Sequence, residues 1–171
     1  EFSVQQNIAL GNQSYDNHFL AVDMEWAFAQ SDIDIKDRIP RTRIDLVLVD
    51  TIPNEQGMND IYLAELKVGT VATEGTSGTI DHVEKTFRLI NTEKACQDFK
   101  EDVTNIINVK SELGIYTGTA KQFNLADKPK MMLILAYRGE EEHKRLLKDS
   151  TAAQEKAKEL GMESLASTDQ G

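Results

Sequence analysis

The chain has 171 residues, 40% hydrophobic and 28% charged, proportions that suit one globular domain with a sizeable core. Its formal charge of −10 argues against indiscriminate nucleic-acid binding, which depends on phosphate neutralisation by Lys and Arg. That charge leaves room for a local basic patch and agrees with a site that gathers carboxylates around a divalent cation.

The opening "EFSVQQNIALG" has no basic region followed by an apolar one, so it does not read as a signal peptide and a cytoplasmic setting is expected. It also lacks an initial Met, which fits a piece of a larger protein or complex. Residues 1–13 are polar and read as irregular. From Ser14, as N-cap, to about Gln30, the stretch "SYDNHFLAVDMEWAFAQ" sets Tyr15, Phe19, Val22, Trp26 and Ala29 on one helical arc. "SDIDIKDRIPRT" is polar, broken by Pro40, and reads as a connection.

"RTRIDLVLVD", residues 41–50, carries a strand signal. "TIPNEQGMN" supplies the Pro, Asn and Gly of a hairpin loop, and "DIYLAELKV", residues 60–68, is the returning strand. The Gly/Thr-rich "GTVATEGTSGT" is as long as connecting loops usually become without being functional. A helical stretch then runs from about Ile80 to Leu113 with a break near Asn91-Thr92, its second half spacing Cys96, Phe99, Val103, Ile106 and Ile107 in helical fashion. "GIYTGTAKQFNLADKPK" is irregular, with a short strand at "IYTG".

"MMLILAY", residues 131–137, is the most apolar run and too short for a core helix, so it reads as a central strand. No run approaches the roughly 20 apolar residues of a membrane span. "RGEEEHKRLLKDSTAAQEKAKELG" is a charged amphipathic helix, "MESLAS" a last short strand and "TDQG" a frayed end. The order is helix, strand, strand, helix, strand, helix, strand, with no internal repeat. It predicts one α/β domain over 1–171, a mixed sheet flanked by helices, with its core at about 14–137 and a C-terminal helix and short strand at 138–167.

The returning strand raises a chemical question, because it carries Glu65 and Lys67 near its end. With a side-chain period of two, Leu63, Glu65 and Lys67 share one face, and Ala64, Leu66 and Val68 the other. On the preceding strand Arg43, Asp45, Val47 and Val49 share a face. An antiparallel hairpin centred on residue 55 makes Asp45 and Glu65 cross-strand neighbours. Two adjacent carboxylates repel, and a Mg²⁺ or Mn²⁺ ion between them converts repulsion into ligation by hard oxygen donors. Lys67, one pleat further, is a compact positive charge suited to a water or a phosphate.

Asp45 together with "AELKVG", residues 64–69, resembles the signature of the PD-(D/E)XK nuclease superfamily, whose fold is restriction-endonuclease-like. The resemblance spans about Tyr15 to Tyr137, and its specific motif is three residues. It implies a core order of helix, three strands, helix, strand, of which only two strands are read here before the long helix. It also implies hydrolysis of phosphodiester bonds, with DNA as partner and Mg²⁺ or Mn²⁺ as cofactor. Asp45 and Glu65 would hold the metal with the Leu66 carbonyl, and Lys67 would assist the attacking water. Glu25, on the predicted first helix, would complete the metal shell, and Gln97 is a candidate substrate contact on the following helix. Ile44 stands where the family's name has Pro, which weakens recognition more than chemistry.

Plainer readings stand beside these. A Glu-x-Lys at a strand end is most often an exposed ion pair. Arg38, Arg41 and Arg43 with Lys36 form either a solvated basic loop or a phosphate-contacting rim, in which Arg41 and Arg43 would bind substrate. Cys96 reads as a buried core thiol without a base partner, and His18, His82 and His143 form no ligand pattern, so zinc is not expected. Core packing is the expected role of Tyr62, Tyr116 and Tyr137. The rival function is a catalytically inactive nuclease-fold module within a larger assembly.

Overall fold

The computed structural model describes residues 2–28, 42–69, 78–162 and 165–170. Four helices and five strands follow in the order α1 (Phe2–Gly11), β1 (Phe19–Phe28), β2 (Thr42–Asp50), β3 (Ile61–Val68), α2 (Thr79–Ile90), α3 (Glu93–Glu112), β4 (Lys130–Ala136), α4 (Glu140–Glu159) and β5 (Leu165–Gln170). The strands form one mixed sheet in the order β1-β2-β3-β4-β5. The first two pairings are antiparallel and the last two parallel, so the α/β class expected from the sequence is the observed one. Among the described residues no helix is long and apolar enough to cross a membrane.

Two elements differ from expectation. Residues 2–11 are helical where an irregular segment was expected, and 19–28 form a strand where a helix was expected. The reason for the second lies in the backbone of β1. Its register against β2 shifts between Ala21 and Asp23, and Glu25 adopts φ +57°. Leu20, Val22 and Trp26 consequently pack with α3, while Phe19, Ala21 and Met24 pack with α1. The irregularities stretch the period of two into spacings of three and four, which imitate a helix. Helix α1 went unread because its buried face includes Gln5 as well as Ala9.

The hairpin between β2 and β3 follows the expected register, with Leu46 opposite Ala64 and Val49 opposite Ile61. Its loop is shaped by Asn54, whose side chain accepts the Gln56 and Met58 N–H groups, and by Gly57 at φ +74°. The break between α2 and α3 falls at Asn91-Thr92 as expected. The last strand begins three residues later than the expected "MESLAS" and takes in Thr168 to Gln170. No described strand forms at "IYTG", although Thr117 makes an isolated bridge to Ser14.

Helices cover both faces of the sheet. On one, α3 buries Ala95, Phe99, Val103 and Ile107 against Leu20, Val47, Val49, Ile61 and Leu63. Alongside, Val83 of α2 and Leu146, Ala153 and Ala157 of α4 pack on Met131, Leu133 and Leu135. On the other face, Ala9 of α1 joins Leu46, Leu48, Ala64, Leu66, Met132 and Ile134, with Val4 and Ile8 alongside. At about 25 cal/mol per Å² of apolar area, each fully buried Leu, Ile or Phe stabilises by roughly 1.5–3 kcal/mol relative to exposure.

One feature of the sheet positions the site. The β2–β3 ladder ends at Leu46 and Ala64, whereas β1–β2 pairing continues to Phe28 and Thr42, and β3–β4 pairing to Val68 and Ala136. The sheet forks there. Asp45 begins one prong, and Glu65, Leu66 and Lys67 lie along the other.

Candidate active site

At the fork, the Asp45 carboxylate replaces a missing backbone partner. Its Oδ2 accepts the Leu66 N–H at 2.8 Å, so the β2 side chain is fastened to the middle residue of the Glu65-Leu66-Lys67 triplet. A carboxylate accepting a backbone N–H makes a charge-assisted hydrogen bond, stronger than a neutral one. The bond sets Asp45 beside the Glu65-Leu66-Lys67 triplet through the Leu66 backbone.

Glu65 and Lys67 are nearly fully buried, 4% and 8% exposed. Burying charge is costly unless it is paired and hydrogen-bonded. Lys67 Nζ donates to Glu65 Oε1 at 2.7 Å, and His82 Nδ1 of α2 lies 3.0 Å from Glu65 Oε2. The His82 contact falls short of ideal hydrogen-bond alignment, and neither atom has another hydrogen-bond partner among the described residues. Burial pushes the Glu65 carboxyl up, but the His82 and Lys67 contacts outweigh it and hold the group below the ordinary glutamate value. Glu65 is therefore an anion at neutral pH in a nearly dry place.

Glu25 lies beside Asp45 in the β1–β2 register, between the Met24–Leu46 and Trp26–Ile44 pairs. It lies on strand β1 rather than on a helix, and its oxygens are engaged: Oε1 accepts from Gln5 Nε2 at 3.1 Å and Oε2 meets Arg43 Nε at 2.7 Å. Gln5 belongs to α1, on the face of the sheet opposite α2, and the same Nε2 donates to the Asp45 carbonyl at 2.5 Å. The helix residue that touches the site region is thus Gln5, 2% exposed, and the assignment of Glu25 to a first helix is corrected. Arg43, its side chain 70% exposed, pairs with Glu25. Arg41 lies outside the described residues. Gln97 is on the exposed side of α3, away from the buried stripe of Ala95, Cys96 and Phe99.

Sequence reasoning missed two residues. Gln5 gave no signal because a buried amide does not add to an apolar periodicity. His82 stands three residues into α2, which follows the Gly/Thr-rich sequence after the motif strand, most of which lies outside the described residues, and only that order hinted at it. Cys96 is buried, as expected, and burial raises its thiol pKa. Tyr116 is buried in the core and donates its hydroxyl to the Ala21 carbonyl at 3.1 Å, while Tyr62 is half-buried against the α1-side cluster and Tyr137 against the α4 cluster.

Among the described residues, no group of three or more His, Cys, Asp or Glu side chains is assembled to hold a metal ion. A cavity of about 610 Å³ opens at the other end of β3 and β4, where Asp60 pairs with Lys130 at 2.5 Å, and it contains none of the motif residues. No family model, curated protein or solved structure matches this chain.

Proposed function

We propose that this chain is a metal-dependent nuclease of the PD-(D/E)XK type that hydrolyses phosphodiester bonds in DNA. The observation that carries the reading is the Asp45–Leu66 hydrogen bond at 2.8 Å, because it joins a carboxylate of one strand to the Glu65-Leu66-Lys67 triplet of the next. The element order supports it as well: helix, three strands, helical segment, strand. That is the core order the resemblance implies, and β1 supplies the strand that the sequence reading lacked.

The donor set suits Mg²⁺ or Mn²⁺. Asp45, Glu65 and the Leu66 carbonyl offer hard oxygens, and Mg²⁺ is usually held by one or two carboxylates with waters and substrate phosphates completing the octahedron. Two side chains therefore suffice. An anionic Glu65 is ready for a cation without first losing a proton. When bound, such an ion supplies Lewis acidity toward the phosphoryl oxygen and lowers the pKa of its water.

The chain's own residues divide the remaining work. Asp45 stays fastened to Leu66, which fixes the spacing between β2 and β3 at the fork. Lys67 offers an ammonium that can leave Glu65 for a substrate phosphate or the attacking water once another cation neutralises the carboxylate. Arg43 lies exposed on the neighbouring prong and can exchange Glu25 for a phosphate of the backbone.

The second reading is an inactive module of the same fold. One observation favours it: the described cations nearest the site are already paired, Lys67 with Glu65 and Arg43 with Glu25, in a chain of net charge −10. Cleavage assays on single- and double-stranded DNA and RNA, with Mg²⁺ or Mn²⁺, test both. Metal-dependent cleavage by wild type that falls at least 100-fold in Lys67→Ala and Asp45→Ala is expected. No metal-dependent cleavage by wild type favours the module. Cleavage that survives both substitutions points to another site.

A further inference from the structure

Glu65 is approached from two elements, one at each oxygen. Lys67, two residues along the same strand, donates to Oε1 at 2.7 Å, and His82 Nδ1, from α2, stands 3.0 Å from Oε2, short of ideal alignment. Neither His82 Nδ1 nor Glu65 Oε2 has another hydrogen-bond partner among the described residues. The two holders differ physically. Lys67 reaches its oxygen on a flexible four-carbon stem and carries a mobile charge. His82 is a rigid ring on a helix packed by Val83, Thr86 and Leu89, and its side chain is only 20% exposed. If Lys67 turns to a substrate, the ring is the holder that remains.

We propose that His82 is a positioning residue that fixes the Glu65 carboxylate for cation binding. The inference rests on the nuclease reading for the identity of the cation, and on the His82–Glu65 contact for the rest. His82 itself does not touch substrate. Its effect passes through Glu65, in the manner of the outer partners of metal ligands, whose removal typically weakens metal affinity about 10–100-fold.

The geometry also says which substitutes can serve. The contact uses Nδ1, which the amide nitrogen of Asn can imitate in reach, whereas Leu fills the space with no donor. Three purified proteins, wild type, His82→Leu and His82→Asn, are titrated with Mn²⁺ alone by calorimetry, with Glu65→Gln identifying the binding that belongs to this site. In parallel, the two γ protons of Glu65 are followed by NMR without metal. They have separate shifts while the side chain is held in one rotamer and merge when it averages.

The expected result is Mn²⁺ affinity at least about tenfold weaker in His82→Leu, merged γ protons in that variant, and recovery of both in His82→Asn. A merely structural role would not be rescued by Asn. If circular dichroism shows that His82→Leu does not fold, His82→Ser, too short to reach Oε2, takes its place. A donor-free variant that binds Mn²⁺ within about twofold of wild type overturns the proposal, as does a His82→Asn no better than Leu. Wild type that takes up no Mn²⁺ overturns the nuclease reading instead, and the γ-proton pattern then decides alone whether His82 holds Glu65.

Discussion

Asp45 Oδ2 accepts the Leu66 N–H at 2.8 Å across the point where β2 and β3 part. The bond does two things at once: it terminates a ladder and brings a carboxylate to the motif strand. Asp45→Ala leaves that N–H without its charged acceptor, and the loss of a hydrogen bond to a charged group costs about 1.5–3 kcal/mol. Asp45→Asn keeps an acceptor oxygen and should cost less than half as much. Urea denaturation of the two variants and wild type measures this, and equal costs for Ala and Asn would show that the bond contributes little.

Lys67 and Glu65 are worth more as a pair than either is alone. Removing one partner of a buried pair leaves an uncompensated charge, commonly about 3–5 kcal/mol. Because His82 still faces Glu65, Lys67→Met should fall near the lower end, about 3 kcal/mol. The double variant Glu65→Gln, Lys67→Met should be more stable than Lys67→Met alone. A double-mutant cycle reads the coupling directly, and additive effects would contradict the pairing.

The lowered pKa of Glu65 makes a statement about acid stability. Its folded value lies below the ordinary 4.5, so its contribution is present at neutral pH and fades as pH falls through the folded value, below about 4.5. The wild-type melting temperature should therefore drop more steeply than that of Glu65→Gln between about pH 4.5 and pH 3. Parallel curves in that window would mean that Glu65 is not held as an anion.

Glu25 adopts φ +57°, a conformation that costs a non-glycine residue roughly 1–2 kcal/mol. Glycine carries no such penalty. Glu25→Gly and Glu25→Ala both lose the contacts to Arg43 and Gln5, but only glycine relieves the backbone. Glu25→Gly should be the more stable of the two by about 1 kcal/mol in thermal or urea unfolding. The reverse order would show that Glu25 is not in the left-handed region.

How much of this was legible beforehand follows from the kind of signal each element carries. The motif hairpin was readable because β2 and β3 have apolar residues on an intact period of two, and a Pro-Asn-Gly loop between them sets the register. The break at Asn91-Thr92 and the apolar run of β4 were readable for similar local reasons. Strand β1 was not: its bulge and the left-handed residue at Glu25 erase the alternation that marks a strand. Helix α1 was not, since Gln5 is buried for its hydrogen bonds to Glu25 and Asp45 rather than for hydrophobicity.

From the residues alone came the class of fold, the pairing of Asp45 with the Glu65–Lys67 strand, and the suspicion that two charges in a buried strand must be answered by something. Those depend on neighbours in sequence and on one short hairpin. Which groups answer them depended on tertiary structure: His82 arrives from helix α2, Gln5 from the opposite face of the sheet, and Glu25 is engaged by Gln5 and Arg43. Contacts between distant segments are set by packing and by the need to satisfy buried polar atoms, and neither leaves a periodic trace along the chain.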